Sequence, residues 1–137
     1  MGTVPILVVE DDPTLARSIA RNLAARGYAT TSAATVAQAL SALRRQRPTL
    51  VLLDIDLPDG LGWEVLRAVR ATAGPAVPAI VMSALRPNPR LCAELDAHGV
   101  LEKPFAMESL LRLVAEATTD EAGLKATEGG QGGLLNA

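Results

Sequence analysis

The sequence of 137 residues has few of the features that mark secreted or membrane-bound proteins. Its single cysteine, Cys92, excludes an internal disulfide and is typical of a reducing compartment. No apolar run approaches the roughly 20 residues that span a bilayer. The N-terminus also lacks the charged and apolar regions of a signal peptide. These absences predict a cytoplasmic protein that makes no contact with a membrane.

Aromatic residues are scarce, and positive charge is not in excess. Aromatics make up 2% of the chain, so its core must be built from Ala, Val, Leu and Ile, which favours helices packed on a parallel sheet. The formal net charge is −2, whereas a surface that binds nucleic acid is basic. We therefore expect a single compact domain that does not itself bind nucleic acid.

Short apolar runs alternate with segments of helical periodicity along the chain. The runs at 5–10, 28–33, 49–54, 78–83 and 99–102 predict strands. Asp12 followed by Pro13 is typical of a helix start, and Thr35 with Gln38 forms a capping box that opens the next helix. Five strand–helix units predict an α/β fold, a single doubly wound (βα)5 parallel sheet with right-handed crossovers.

The last part of the chain differs in composition from the rest. Residues 118–137 lose the apolar periodicity and become rich in glycine. Such a composition predicts a flexible tail or linker. We therefore expect one domain at residues 4–117, followed by this tail.

Polar side chains stand where the predicted strands end. Glu10 and Asp11 follow the first strand, Asp54 the third, Ser83 the fourth and Lys103 the fifth. In a flavodoxin-like strand order, 2-1-3-4-5, the first and third strands are neighbours, so their acids converge at one edge of the sheet. We expect a functional site there.

The residue types at this edge indicate phosphoryl transfer. The carboxylates are hard oxygen ligands with no His or Cys nearby, a donor set that favours Mg²⁺. Lys103 adds a positive charge and Ser83 a hydroxyl donor, while Asp54 could act as the nucleophile that takes a phosphoryl group.

Four sequence motifs in this order resemble the response-regulator receiver family. They are ILVVEDD with Glu10 and Asp11, VLLDIDLPDGLG with Asp54, IVMSA with Ser83, and LEKPF with Lys103. The resemblance covers about residues 4–117. It implies a phosphoprotein of two-component or phosphorelay signal transduction, whose Asp54 is phosphorylated by a sensor histidine kinase or a phosphotransfer protein.

The same resemblance implies a role for each residue around Asp54. Mg²⁺ would be held by Asp11, Asp54 and the backbone carbonyl of Asp56, with Glu10 acting through water. Lys103 would pair with the phosphoryl oxygens, and the peptide bond that follows it would be cis.

The resemblance also implies a switch. Ser83 would move toward the phosphoryl group, and the added charge would shift the population toward an active conformation. Such a domain assists its own phosphorylation and dephosphorylation but is not otherwise an enzyme. The resemblance leaves open whether the output is a separate effector protein or a fused domain, and whether phosphorylation drives dimerisation. Val100 stands three residues before Lys103, where receivers usually carry an aromatic, so the coupling must differ in this chain.

Two other functions remain open from the sequence alone. Asp54 and Asp56 after an apolar strand also resemble the nucleophile motif of haloacid-dehalogenase-type, Mg-dependent phosphatases, although that family carries the motif on its first strand. The other alternative is a pseudo-receiver, an interaction module that works without phosphorylation.

Overall fold

The computed structural model describes residues 5–126, and the side chains of residues 5–74 and 76–118. Five parallel strands form the main sheet: β1 (Ile6–Val9), β2 (Thr30–Ala33), β3 (Val51–Asp54), β4 (Ala79–Ser83) and β5 (Gly99–Glu102). They pair in the order β2-β1-β3-β4-β5. The predicted flavodoxin-like order, 2-1-3-4-5, is therefore confirmed.

Five helices connect and cover the strands. They are α1 (Pro13–Ala25), α2 (Val36–Arg45), α3 (Gly62–Ala73), α4 (Pro89–Glu94) and α5 (Met107–Ala126). None of these described helices is long and apolar enough to cross a membrane.

Alternate residues of the strands pack in two apolar layers, one on each face of the sheet. Leu53 packs with the α2 and α3 side, whereas its neighbour Leu52 packs with the α1 and α5 side. Both side chains are fully buried, and each contributes on the order of 2 kcal/mol from the apolar area it removes from water. Because both faces are covered, the central strands are apolar at every position up to the polar residue that ends them.

Side-chain caps begin the first two helices as the sequence predicts. The Asp12 carboxylate accepts a hydrogen bond from the Thr14 amide at 3.0 Å, and Pro13 occupies the first turn of α1. The Thr35 hydroxyl accepts from the Gln38 amide at 3.0 Å. The Gln38 side-chain oxygen accepts from the Ala34 amide at 2.7 Å, so the donor lies one residue before the N-cap amide that a regular capping box would use.

Three local features differ from the sequence prediction or add to it. The loop after β3 contains a small antiparallel hairpin, Asp56–Leu57 paired with Gly60–Leu61. The sequence between the fourth and fifth predicted strands predicts a short helix at about 90–97, but helix α4 ends at Glu94, and Asp96 just beyond it adopts the left-handed conformation with φ of 55°.

The third difference concerns the end of the domain. Helix α5 continues to Ala126, so residues 118–126 are helical where the sequence predicts a tail. The Thr118 hydroxyl lies 3.2 Å from the Tyr28 hydroxyl, which ties this part of α5 to the start of β2. Thr, Glu, Ala and Lys continue a helix without an apolar stripe, which is why loss of periodicity did not mark its end. The rest of the predicted tail, 127–137, lies outside the described residues.

Candidate functional site

The polar residues predicted at the ends of the strands lie at one edge of the sheet. Glu10 follows β1, Asp54 ends β3 and Ser83 ends β4, and all three are buried. Lys103 follows β5, and its backbone amide donates to the Ser83 carbonyl at 2.7 Å. The convergence predicted from the strand order is therefore observed for these four residues.

The Lys103 ammonium contacts two buried carboxylates. Its Nζ lies 2.8 Å from Glu10 Oε1 and 3.1 Å from Asp54 Oδ2. The peptide bond between Lys103 and Pro104 is cis, as the family resemblance implied. Residues 49 positions apart in the chain thus form a direct ion pair at the centre of the site.

The remaining oxygens of the two buried carboxylates accept backbone hydrogen bonds. Asp54 Oδ1 accepts from the Asp56 amide at 3.2 Å, and Glu10 Oε2 accepts from the Asp12 amide at 3.1 Å. These contacts fix the orientation of both carboxyl groups relative to the ammonium of Lys103. The Asp56 side chain itself is exposed.

A third acid completes a cluster that could hold a cation. One carboxylate oxygen from each of Glu10, Asp11 and Asp54 lies within 4.8 Å of the other two, and the Asp11 side chain is exposed to solvent. Three carboxylates against one ammonium leave a formal charge of −2. Glu10 Oε1 is buried and accepts no hydrogen bond of good geometry from the described residues, with only the Lys103 ammonium against it. This hard, oxygen-only donor set with excess negative charge fits Mg²⁺.

Burial governs the ionisation of the two inner acids. It raises the pKa of Asp54 and of Glu10 above the ordinary carboxyl range, and the close Lys103 ammonium only partly opposes it. For Lys103, burial lowers the pKa, but pairing with Glu10 and Asp54 outweighs burial and the net pKa is raised. Lys103 therefore stays charged, whereas the carboxylates are held in an environment that disfavours their full ionisation.

Ser83 lies where the site meets the loop that follows β4. Its hydroxyl accepts a hydrogen bond from the Leu85 amide at 3.3 Å, a long and therefore weak contact. In the sheet register Met82 pairs with Asp54, so Ser83 is one position further along the neighbouring strand. The hydroxyl can therefore give up this donor at small cost and donate its own proton to another group.

Gly62 brings the start of α3 against the end of β3. A Cβ atom at this position would lie 2.3 Å from the Asp54 carbonyl oxygen and 3.0 Å from Ile55 Cα. The Gly62 amide donates to the Ile55 carbonyl at 2.7 Å. Only glycine permits this approach, which sets the path of the chain around Asp54.

The sequence around Asp59 predicts only a turn residue, whereas the structure shows that its side chain contacts another element. The Asp59 carboxylate accepts hydrogen bonds from the first two amides of α2, Val36 and Ala37, at 2.7 and 3.0 Å. Asp59 and these two residues are more than 20 positions apart in the chain, so no local sequence pattern indicates the contact. Aspartate is common in Pro-Asp-Gly turns, so its presence here gives no sign of a further contact.

Comparison with known proteins identifies the family. Residues 6–115 match the family model of the response regulator receiver domain. The chain is 38% identical over 115 residues to the probable transcriptional regulatory protein TcrX of Mycobacterium tuberculosis, covering 82% of this chain and 49% of that protein. It is 37% identical over 108 residues to the transcriptional regulatory protein KdpE of the same species, covering 77% of this chain and 47% of KdpE.

Solved structures agree with the sequence comparison. A CheY-like response regulator receiver domain protein from Methanospirillum hungatei aligns with a TM-score of 0.82 at 26% identity, covering 89% of this chain and 98% of that one. The receiver domain of the sensor histidine kinase PA1611 from Pseudomonas aeruginosa aligns with a TM-score of 0.71 at 31% identity, covering 86% and 99%. That structure has a magnesium ion coordinated in its active-site cleft.

These matches define a class of protein, the phosphoryl-accepting switch of signal transduction. The chain belongs to the response regulator receiver domain family. It spans about half the length of the curated relatives that it matches. Membership of this family leaves the haloacid-dehalogenase alternative without support.

Proposed function

We propose that Asp54 accepts a phosphoryl group from the phosphohistidine of a sensor histidine kinase or a phosphotransfer protein. The observation that carries this proposal is the Lys103 ammonium, 3.1 Å from Asp54 Oδ2 and shared with the buried Glu10. A buried carboxylate that faces a fixed cation and two further acids is poorly explained by stability alone, because its ionised form is disfavoured there. It is well suited to receive a group whose charge the cations neutralise.

The reaction exchanges one bond to phosphorus for another. A carboxylate oxygen of Asp54 attacks the phosphorus, the phosphorus–nitrogen bond to the donor histidine breaks, and its electron pair stays on the imidazole. Lys103 holds a phosphoryl oxygen through the ammonium that now pairs with Asp54. Hydrolysis of the acyl phosphate by water later restores the carboxylate, so the domain assists its own two reactions and turns over no other substrate.

The metal that fits this site is Mg²⁺. Asp11, Asp54 and the backbone carbonyl of Asp56 would hold it, and Glu10 would act through water. Bound Mg²⁺ supplies neutralisation of the negative charge on the transferring phosphoryl group. The formal charge of −2 on the cluster of acids and Lys103 supports this assignment.

Phosphorylation would change the conformation through Ser83. The acyl phosphate adds a charge of about −1.5 to −2 beside the buried end of β4. The Ser83 hydroxyl, now only weakly bonded to the Leu85 amide, donates to a phosphoryl oxygen and draws the following loop toward Asp54. The phosphorylated population then favours this arrangement. Val100, whose side chain is 42% exposed, cannot supply the aromatic movement of other receivers, so the loop itself would carry the change.

Two observations bear on the partners and the output of the domain: a groove beside Lys103 and the length of the related regulators. A groove of about 620 Å³ next to Lys103, lined by Leu15, Ala84, Pro104 and Phe105 among others, could receive the element of a kinase that bears the phosphohistidine. The matched segment makes up about half of each of the two regulators named above, which are named for transcriptional control. We propose that this domain, located in the cytoplasm, controls a fused output domain or a separate effector, and dimerisation on phosphorylation stays a prediction.

Intact-mass measurement after incubation with acetyl phosphate and Mg²⁺ tests the proposal. We expect a gain equal to one phosphoryl group per chain, no gain in an Asp54→Asn variant, and strong suppression when EDTA removes the metal. Asp96→Asn serves as the matched control, since its exposed carboxylate makes no ion pair with Lys103 among the described side chains and has no role in binding the metal or the phosphoryl group.

Two results would contradict the proposal. If the wild-type protein gains no mass, the pseudo-receiver alternative replaces the phosphoryl-accepting function. If Asp54→Asn gains as much mass as the wild type, the acceptor is a different residue.

A further inference from the structure

The loop that follows Asp54 is anchored at its tip to the first turn of α2. We call residues 55–61 the acceptor loop. At its tip the two Asp59 oxygens accept hydrogen bonds from the Val36 and Ala37 amides at 2.7 and 3.0 Å. These are the first two amides of α2, which have no partner within the helix, and a carboxylate is favoured at this end by the helix dipole. Both amides hold the pKa of Asp59 below its usual range.

The base of the acceptor loop is tied directly to the phosphoryl-accepting carboxylate. The Asp56 amide donates to Asp54 Oδ1 at 3.2 Å, and the Gly62 amide donates to the Ile55 carbonyl at 2.7 Å. The base therefore contains both the amide that orients Asp54 and the backbone carbonyl assigned to Mg²⁺. Any displacement of residues 55 and 56 changes the position of both groups.

A short hairpin joins the tip to the base. Asp56 pairs with Leu61 and Leu57 with Gly60, which makes two strands of two residues each. Even a complete isolated hairpin is only marginally stable in water, so a ladder of this length cannot fix its own position. Ile55 and Leu57 are buried in the apolar layer on the α2 and α3 side, which holds the base of the loop. The anchor of Asp59 on α2 is the polar contact that fixes the exposed tip.

We propose that Asp59 is a positioning residue, which fixes the acceptor loop against α2 and so holds the Asp56 backbone in the place that Mg²⁺ binding and phosphorylation require. This inference rests on the proposed function, since it assigns a mechanical role within the same site. Asp59 touches neither Asp54 nor Lys103 among the described contacts, so its effect must pass through the loop.

The test compares two variants that each remove one cap from the same end of α2. Asp59→Ala removes the cap that comes from the acceptor loop. Thr35→Ala removes the local cap, in which the Thr35 hydroxyl accepts from the Gln38 amide at 3.0 Å, and leaves the loop anchored. Both variants weaken the start of α2, so a merely structural role would affect them alike.

The readouts are amide hydrogen exchange of residues 55–62 and a titration with Mg²⁺ alone, both followed by NMR on the full chain. For Asp59→Ala we expect faster exchange in the acceptor loop and a Mg²⁺ half-saturation concentration roughly three- to tenfold higher than in the wild type. Thr35→Ala should stay within about twofold of the wild type in both readouts. Asp59→Asn, whose amide oxygen can still accept a hydrogen bond, should lie between the wild type and Asp59→Ala.

Equal shifts in the two alanine variants, or a wild-type Mg²⁺ affinity in Asp59→Ala, would overturn the inference. Failure of the proposed function has a different signature, in which the wild type gains no phosphoryl group and does not respond to Mg²⁺. In that case only the exchange data test the positioning role of Asp59. Unchanged exchange of the acceptor loop in Asp59→Ala would then overturn that role as well.

Discussion

Two segments that flank Asp54 are attached to the domain in different ways. The acceptor loop is fixed at its tip by Asp59, at its base by the Asp56 amide, and at its exit by the close approach of Gly62. By contrast, none of the six residues of the described helix α4 is buried, and Leu85 before it is 74% exposed. We call residues 84–98 the α4 segment.

The difference matches two requirements of a switch. Binding a metal and a phosphoryl group needs ligands held in fixed positions, whereas a response to phosphorylation needs an element that can move at small cost. In this domain the first requirement is met by hydrogen bonds around the acceptor loop. The second is met by the α4 segment, whose apolar side chains Leu91, Cys92, Leu95 and Ala97 pack against the core but are only partly buried.

The largest expected effect comes from a substitution that displaces the backbone at the exit of the acceptor loop. Gly62→Ala places a Cβ atom 2.3 Å from the Asp54 carbonyl oxygen, so the backbone must shift. We expect a loss of about 3 kcal/mol in the free energy of unfolding, measured with urea, and slower phosphorylation. Gly27→Ala is the control, because its φ of 88° strains an alanine but no atom lies within 4 Å of the added Cβ. It should cost about 1 kcal/mol and leave phosphorylation unchanged. Equal costs for the two variants would show that the contact with Asp54 is unimportant.

The next effect concerns a side chain of α3 that attaches the end of the α4 segment to the domain. The Arg70 guanidinium, whose pKa is lowered by burial, donates to the carbonyls of Leu95 at 2.8 Å and Asp96 at 3.0 Å. It also donates to the Val77 carbonyl at 2.6 Å, so one side chain ties the end of this segment to the end of α3. Arg70→Met should lower the free energy of unfolding by about 2 kcal/mol and accelerate amide exchange at residues 94–98.

Arg67→Met is the matched control for this prediction, since Arg67 is an exposed residue of the same helix. It should change the stability by less than about 0.5 kcal/mol. If Arg70→Met changes neither the stability nor the exchange of residues 94–98, the α4 segment is held by contacts other than this guanidinium.

The smallest expected effect concerns Asp54 itself, where the substitution that abolishes phosphorylation should also change the stability. Burial raises the pKa of Asp54, so its charged form destabilises the folded state at neutral pH. Without Mg²⁺, Asp54→Asn should therefore be more stable than the wild type by about 1 kcal/mol at pH 7. The wild type gains stability as the pH falls through the raised pKa toward about 4, where the unfolded carboxyl is protonated, so the difference should shrink in that range. A difference that grows on acidification would contradict this account.

The sequence predicted those parts of the fold that depend on local patterns. Apolar runs such as the one ending at Asp54 located the strands, and Asp12 and Thr35 located the starts of two helices because capping uses residues close in the chain. The strand order and the meeting of Glu10, Asp54 and Lys103 followed from the rule that parallel strands collect their polar ends at one edge.

The remaining features depend on contacts between distant residues. The anchoring of Asp59 on α2 and the binding of four carbonyls by Arg70 leave no periodic signal, since each joins separate elements. The hairpin in the acceptor loop is too short to show alternation. Helix α4 ends early because the chain turns at Asp96, which adopts the left-handed conformation with a φ of 55°.

The most direct test of the account measures amide hydrogen exchange along the chain before and after phosphorylation with acetyl phosphate and Mg²⁺. Asp54→Asn, treated in the same way, is the control. We predict that exchange in the α4 segment changes by roughly tenfold or more, that the acceptor loop becomes no less protected, and that Asp54→Asn shows neither effect. The account would be contradicted by an α4 segment that does not respond, or by the same response in the variant that lacks the Asp54 carboxylate.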